Sequence, residues 1–297
     1  MPFARLPHNI EMHYEHCGLE SAQTTLLLIH GNFASWRWWQ PLLQHLPERY
    51  RAYTPELRGC GDTTRPDGGY TIEQMAADIY EFTQALDLPA VHLVGHSLGG
   101  AVAMQFALNY PQKVRTLTLV SSAPAEGMAH LKPSFPQLRL TESSDFHHVM
   151  QTLNLNRMSL YKALTRMMPN IKTNQESFVT LLDDAARMSP EAIVGFYEAL
   201  TTWSVQDELG KLNLPVLVLW GSQDTIVEKA ALERMVEALP QAQFVIWDNV
   251  GHAPQLEQPE AFQQLLLEFI ENHQVKRIYN VFQNQKNYWL RRLKKFW

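Results

Sequence analysis

A chain of 297 residues suits one large domain or a core carrying one inserted subdomain, and 45% hydrophobic residues suffice for a sizeable core. A net charge of -5 gives no footprint for nucleic acid, and two cysteines, Cys17 and Cys60, make no disulfide framework. No window approaches the roughly 18 apolar residues of a membrane span and residues 1–8 lack a signal peptide's apolar stretch, so the expectation is a soluble, cytoplasmic protein.

Residues 10–16 alternate apolar and polar and predict a half-buried strand near a sheet edge. Residues 24–29 are continuously apolar, the pattern of a central parallel strand, and end at the turn His30-Gly31-Asn32-Phe33. Trp36, Trp39, Leu43 and Leu46 recur at helical spacing and predict a helix over 36–46. A strand at 50–54 leads into the glycine-rich loop Glu56–Asp62. Thr71, with Gln74 three residues on, opens a helix running to about Leu86.

An apolar run from Val91 then enters Gly95-His96-Ser97-Leu98-Gly99, followed by a buried helix through Leu108. Strand, sharp turn and helix are the context that Gly-x-Ser-x-Gly needs for its serine to project above the sheet. Gly95 and Gly99 relieve crowding around the strained serine, and the helix aims its free N–H groups at any oxyanion forming there. A dinucleotide fingerprint is excluded, because Ser97 stands where its second glycine belongs, and no Gly-Lys-[Ser/Thr] phosphate loop follows. A strand at 116–120 closes residues 1–123, the first part of an α/β core with a mostly parallel sheet covered on both faces.

The rhythm changes at residue 124. Over 124–204 no strand is predicted, but four helices are, near 143–155, 158–168, 174–188 and 190–203. Six methionines fall here, among them Met150, Met158, Met167, Met168 and Met188, with Phe146, Tyr161, Phe178, Phe196 and Trp203. This reads as a helical cap over the sheet's carboxyl edge. Most of these apolar residues are expected to pack the cap's own small core, and a few to wall an apolar pocket facing the serine.

The core resumes over 205–272. A strand at 216–220 ends in Gly221-Ser222-Gln223-Asp224, a helix follows at 229–239, and a last strand at 244–247 ends in Asn249-Val250-Gly251-His252. A closing helix spans 259–272. The extension 273–297 carries seven Lys/Arg and no Asp/Glu, with apolar residues roughly on one helical stripe. Such a basic amphipathic segment can lie on a membrane surface, although packing on its own domain or on a partner is the favoured reading.

A serine hydroxyl is a poor nucleophile at neutral pH. It needs a base within reach, and the base needs a group to fix its tautomer. Of 12 histidines, His252 lies in a turn after the last strand, where a loop can bring it over Ser97. Asp224 ends the preceding strand. Asp248 is its rival as the acid, being nearer His252 in sequence. All these positions fall at the carboxyl ends of predicted strands, where open α/β sheets place their ligands.

This order of Ser, Asp and His, with these motifs, resembles the α/β-hydrolase superfamily, in particular its capped bacterial serine-hydrolase branch. Gly95–Gly99 resembles its nucleophile elbow, Trp220–Asp224 its acid turn, Gly251-His252 its histidine loop and His30-Gly31-Asn32 its oxyanion segment. The loop Arg58–Asp62 is also common in the capped branch. The resemblance covers about residues 8–272 and implies an α/β-hydrolase fold with the cap inserted after the sixth strand. It further implies that Ser97 attacks, that His252 serves as general base and then general acid, and that Asp224 orients His252. The backbone N–H groups of Asn32 and Leu98 would hold the oxyanion. His96, His30 and Asp62 are read as structural. Haloalkane dehalogenases and epoxide hydrolases of this fold carry an aspartate at the elbow, and Ser97 argues against both.

The expected substrate is a small or medium carboxylic ester, thioester or lactone with an apolar acyl part, cleaved through an acyl-enzyme with no cofactor. There is no His-Glu-x-x-His, and the adjacent His147-His148 are poorly spaced as metal ligands. Two alternatives keep the triad. One is C–C (diketone) hydrolysis or perhydrolysis, for which Arg157, Arg166 and Arg187 are candidate polarising groups. The other is a small-molecule receptor with slow turnover, like the karrikin and strigolactone receptors of this fold.

Overall fold

The computed structural model describes residues 2–129, 157–172 and 175–273. Eight strands, β1 (Phe3–Leu6), β2 (Ile10–Cys17), β3 (Thr24–Ile29), β4 (Tyr50–Pro55), β5 (Val91–His96), β6 (Val114–Val120), β7 (Val216–Gly221) and β8 (Ala242–Trp247), form one sheet in the order β1-β2-β4-β3-β5-β6-β7-β8. The β1/β2 and β2/β4 pairs are antiparallel, and all the others are parallel. Every residue of β3, β5 and β7 is buried. That is the condition under which a strand can be apolar on both faces. The short β1 has no counterpart in the sequence reading, because four residues ahead of Pro7 carry too little alternation to register.

The helices are α1 (Gln40–Gln44), α2 (Ile72–Ala85), α3 (Leu98–Asn109), α4 (Arg157–Met167), α5 (Glu176–Ala186), α6 (Pro190–Thr202), α7 (Lys229–Ala238), α8 (Pro254–Glu257) and α9 (259–273). The single helix expected over 36–46 is corrected. Trp36–Trp39 form a 3-10 turn capped by Ser35, and α1 starts afresh with Pro41 in its first turn. Proline has no N–H to continue a hydrogen-bond ladder from the preceding turn.

Strand order positions the site. From β3 the chain moves to β4 on one side, then returns to β5 on the other. The strand order therefore reverses between β3 and β5, and open α/β sheets bind ligands in the crevice at the carboxyl ends of such strands. Ile29 lies opposite Gly95, so the segment 30–33 and Ser97 leave the sheet at nearly the same level.

Between β6 and β7 the described residues form α4, α5 and α6. Leu160 and Leu164 of α4 and Phe178 and Leu181 of α5 pack on Ala34 and Trp38 of the sheet-bearing part. Ile193, Phe196 and Leu200 of α6 join the main core, with Phe196 edge-on to Tyr70 at 5.9 Å between ring centres. α4 and α5 thus share a small apolar cluster of their own that also takes in Ala34, Trp38 and Ala253, whereas α6 buries its apolar face in the main core. Met158 and Tyr161, candidates for pocket wall or cap core, are exposed. The helix expected near 143–155 and the extension beyond residue 273 lie outside the described residues. Among the described residues no helix is long and apolar enough to cross a membrane.

Candidate active site

Ser97 sits between the end of β5 and the first residue of α3, with φ 53° and ψ −121°. A side-chain-bearing residue in the positive-φ region costs on the order of 1–3 kcal/mol and persists only where the surroundings impose it. Here they do. The Ser97 N–H donates to Val120 O at 3.1 Å, and Ser97 O accepts from the N–H groups of Gly100 and Ala123 at 2.9 Å each. A Cβ on Gly95 would lie 2.3 Å from Gly99 O, and one on Gly99 would lie 2.4 Å from His30 O. Both positions therefore need glycine for close backbone approach. The hydroxyl-bearing residue is partly exposed, while its neighbours on the turn are buried.

Leu98 is the first residue of α3, so its N–H has no intrahelical acceptor. Facing the elbow is the segment after β3, where a Cβ on Gly31 would lie 2.9 Å from Ser97 Cβ. Asn32 Oδ1 accepts the N–H of Phe33 at 2.9 Å and holds Phe33 at φ 55°. Among the described residues the Asn32 N–H meets no acceptor. His30 braces this segment from below. Its Nε2 accepts the Leu57 N–H at 3.0 Å, which leaves Nδ1 to donate to Gly31 O at 2.8 Å. Burial drives its pKa down, against smaller upward contributions from Gly31 O and two acids. Asp62 donates its N–H to the buried Glu56, and its carboxylate pairs with Arg187.

Asp224 lies in the turn after β7, its side chain fully buried. Burial alone would raise its pKa. The neighbouring His252, which hydrogen-bonds to it, and the N–H groups of Ile226 and Val227 outweigh that and hold the carboxyl below its ordinary value. Oδ1 takes those two N–H groups at 2.8 and 3.1 Å. Oδ2 lies 2.8 Å from His252 Nδ1. An ionised carboxylate only accepts, so Nδ1 carries a proton, and in the neutral ring Nε2 is the nitrogen with the free lone pair. Asp248, the rival acid, is exposed. The structure thus joins Asp224 to His252 despite their separation of 28 residues.

His252 in turn sits against the elbow. The His96 ring, one residue before Ser97, lies 5.0 Å from the His252 ring, and His96 Nε2 donates to His252 O at 2.9 Å. Burial, and then the proximity of His252, push the His96 pKa down to about 3, so His96 stays neutral and its Nε2–H stays a donor. The reading of His96 as a structural partner becomes specific here: it holds the main chain of His252. Glu257, Asn170 and the Met167 carbonyl also bond to this loop, at Gly251 N–H, Asn249 O and His252 N–H. The sequence reading missed them, and no motif spacing marks them.

One histidine–carboxylate group among the described residues, His13, Glu56 and Asp62, brings its ligand atoms within 4.8 Å of one another. The Asp62 carboxylate pairs with Arg187, and the buried His13 Nε2 has no hydrogen-bond partner among the described residues. Glu56 Oε2 accepts from His13 Nδ1 and the Asp62 N–H at 2.8 Å each.

The protein is an α/β protein with an open, mostly parallel sheet, a serine held at a strained strand-to-helix turn beside its switch point, and an Asp–His pair in the turns after β7 and β8. The chain belongs to the α/β-hydrolase fold family, whose model matches residues 24–259. It is similar to RutD of Agrobacterium fabrum, provisionally named a carbamate hydrolase, with 29% identity over 87% of this chain and 98% of that one. It is likewise similar to 2-hydroxy-6-oxo-2,4-heptadienoate hydrolase of Pseudomonas putida, with 28% identity over 84% of this chain and 90% of that protein. In fold it resembles the enol-lactonase from Burkholderia xenovorans, with a TM-score of 0.78 and 20% identity, covering 91% of this chain and all of that one.

Proposed function

We propose that this chain is a serine hydrolase that cleaves small or medium carboxylic esters, thioesters or lactones with an apolar acyl part through an acyl-enzyme. Ser97 attacks the carbonyl carbon while its proton passes to His252 Nε2. The backbone N–H groups of Asn32 and Leu98 stabilise the oxyanion, each worth roughly 3 kcal/mol in comparable sites. The tetrahedral intermediate collapses, and His252 gives the proton to the departing alkoxide. Water, deprotonated by the same imidazole, then releases the acid. The observation that carries this reading is the 2.8 Å contact of His252 Nδ1 with a buried carboxylate, which leaves Nε2 as the basic nitrogen.

Residues 124–204 form the cap in this reading, with 1–123 and 205–272 as the core. The C–C hydrolase reading keeps a motivation in the similar Pseudomonas putida enzyme. Two of its three candidate polarising groups argue against it, because Arg157 pairs with Asp183 and Arg187 pairs with Asp62, and the third, Arg166, is exposed. Carbamates belong in the test set, because their carbonyl presents the same electrophile to Ser97 and because of the similarity to RutD. A panel of p-nitrophenyl esters, thioesters, lactones, carbamates and a vinylogous diketone, assayed with wild type and Ser97→Ala, tests the proposal. Ester turnover that disappears in Ser97→Ala is expected. Full activity in Ser97→Ala refutes the mechanism, and turnover of the diketone alone refutes the substrate class.

A further inference from the structure

The main chain of His252 is gripped from two sides. Its N–H donates to Met167 O, at the end of α4, at 2.7 Å, and its carbonyl accepts from His96 at 2.9 Å. The flanking residues converge on one carboxylate. Glu257 Oε1 accepts the N–H groups of Gly251 and Ala253 at 3.0 and 3.3 Å. The other oxygen, Oε2, accepts the backbone N–H and the side-chain Nδ2 of Asn170, both at 3.2 Å. Asn170 Nδ2 also bonds to Asn249 O. Glu257 therefore joins the loop that bears His252 to the turn that follows α4, with two donors on each of its oxygens.

We propose that Glu257 and Asn170 are positioning residues for His252, which tie the seating of its imidazole to the docking of the helices inserted between β6 and β7. This rests on the reading of His252 as the general base. Ser222 and Gln223 also tie this loop to the turn after β7, at Asn249 N–H and Val250 O, but Glu257 and Asn170 are what link it through side chains to the turn after α4. Burial raises the Glu257 pKa, against the lowering effect of its N–H donors, and once ionised it makes hydrogen bonds roughly twice as strong as neutral ones. Two of them, on the N–H groups of Gly251 and Ala253, fix the 250–251 peptide plane and the 252–253 plane that carries the His252 carbonyl. A carboxylate is required, because every partner is a donor. Glutamine would turn its NH2 toward one donor pair whichever way it was placed.

The test uses the full chain and compares wild type, Glu257→Gln and Asn170→Ala, with Ser97→Ala and His252→Gln as references, on p-nitrophenyl butyrate. A displacement of about 1 Å at a catalytic group lowers rate by about 100-fold, so kcat of Glu257→Gln should fall about 10- to 100-fold while KM stays within about twofold. Asn170→Ala keeps its backbone N–H and should lose about three- to tenfold in kcat. The far-downfield proton resonance of His252 Nδ1–H, recognised by its loss in His252→Gln, should shift or exchange faster in both variants. Wild-type kcat and an unshifted proton in both overturn the proposal. Asn170 is exposed, so its variant carries the test if Glu257→Gln fails to fold. Inactive Ser97→Ala and His252→Gln beside fully active Glu257→Gln and Asn170→Ala would sink the positioning claim alone. An active Ser97→Ala would sink the catalytic reading, and the proton resonance would still judge the geometry.

Discussion

Replacing Asp224 with Asn changes a single atom of the site yet should reverse the chemistry of His252. In the wild type, Oδ1 is committed to the N–H groups of Ile226 and Val227, and Oδ2 faces His252 Nδ1 at 2.8 Å. Asparagine keeps the first contacts only by directing its oxygen to those N–H groups, which turns its NH2 toward Nδ1. Nδ1 must then accept, the ring proton moves to Nε2, and the nitrogen proposed as the base for Ser97 can no longer take a proton. A triad carboxylate-to-amide change in a serine protease lowered kcat about 10⁴-fold by this tautomer error, which corresponds to about 5.4 kcal/mol at 1.36 kcal/mol per factor of ten. The same order is expected in kcat/KM of Asp224→Asn for p-nitrophenyl esters, with thermal unfolding confirming a folded protein. Labelling of Ser97 by a fluorophosphonate should slow in parallel, because it needs the same base. Asp248→Asn is the matched control, because exposed substitutions shift energies by less than about 0.5 kcal/mol and so change the rate by less than about threefold. If Asp224→Asn keeps activity within tenfold of wild type, or if Asp248→Asn shows the large loss instead, the assignment of the acid is wrong.

Other outcomes follow from the same geometry. Ser97→Gly relieves a positive φ that costs on the order of 1–3 kcal/mol, so it should unfold at a higher temperature than Ser97→Ala despite glycine's greater unfolded-state entropy; an equal or lower Tm would show that the turn stores no strain. Asp184→Ala strands Ser35 Oγ, which donates to Asp184 at 2.5 Å, and Arg37 Nη1, which reaches both carboxylate oxygens at 3.0 and 3.2 Å. The Arg37 side chain remains 22% exposed, so a loss of about 3 kcal/mol, at the lower end for breaking a buried pair, is expected in urea unfolding. Stability should also decline in mild acid. The unfolded His96 takes a proton below about pH 6.5, whereas the folded ring resists to about pH 3, so protonation favours the unfolded state across that window. His30, also pushed down by burial, acts in the same direction. Each such group adds up to about 1.4 kcal/mol per pH unit to the slope of stability against pH. His96→Asn should reduce proton uptake on unfolding at pH 4.5 by about one, and an unchanged slope would contradict the assignment of His96 as a neutral donor.

What the sequence determined by itself was local. Strand, Gly95-x-Ser97-x-Gly99 turn and helix lie within about twenty consecutive residues, and a turn's steric demands are met by immediate neighbours. Continuous apolar strands spaced by amphipathic helices likewise declared a parallel sheet covered on both faces. Tertiary structure decided what depends on distant partners. Sequence preferred Asp224 to its rival Asp248 on position alone, whereas the fold buries the first against His252 and exposes the second. It merged α6 with the main core, where periodicity alone could say only that one face was apolar. It also chose what holds the His252 main chain: a histidine 156 positions away, a carboxylate in the next short helix and the carbonyl of Met167. A backbone carbonyl has no residue identity to read, and a hydrogen bond between remote segments leaves no periodic mark. Such contacts exist only once the sheet has brought its strand ends together.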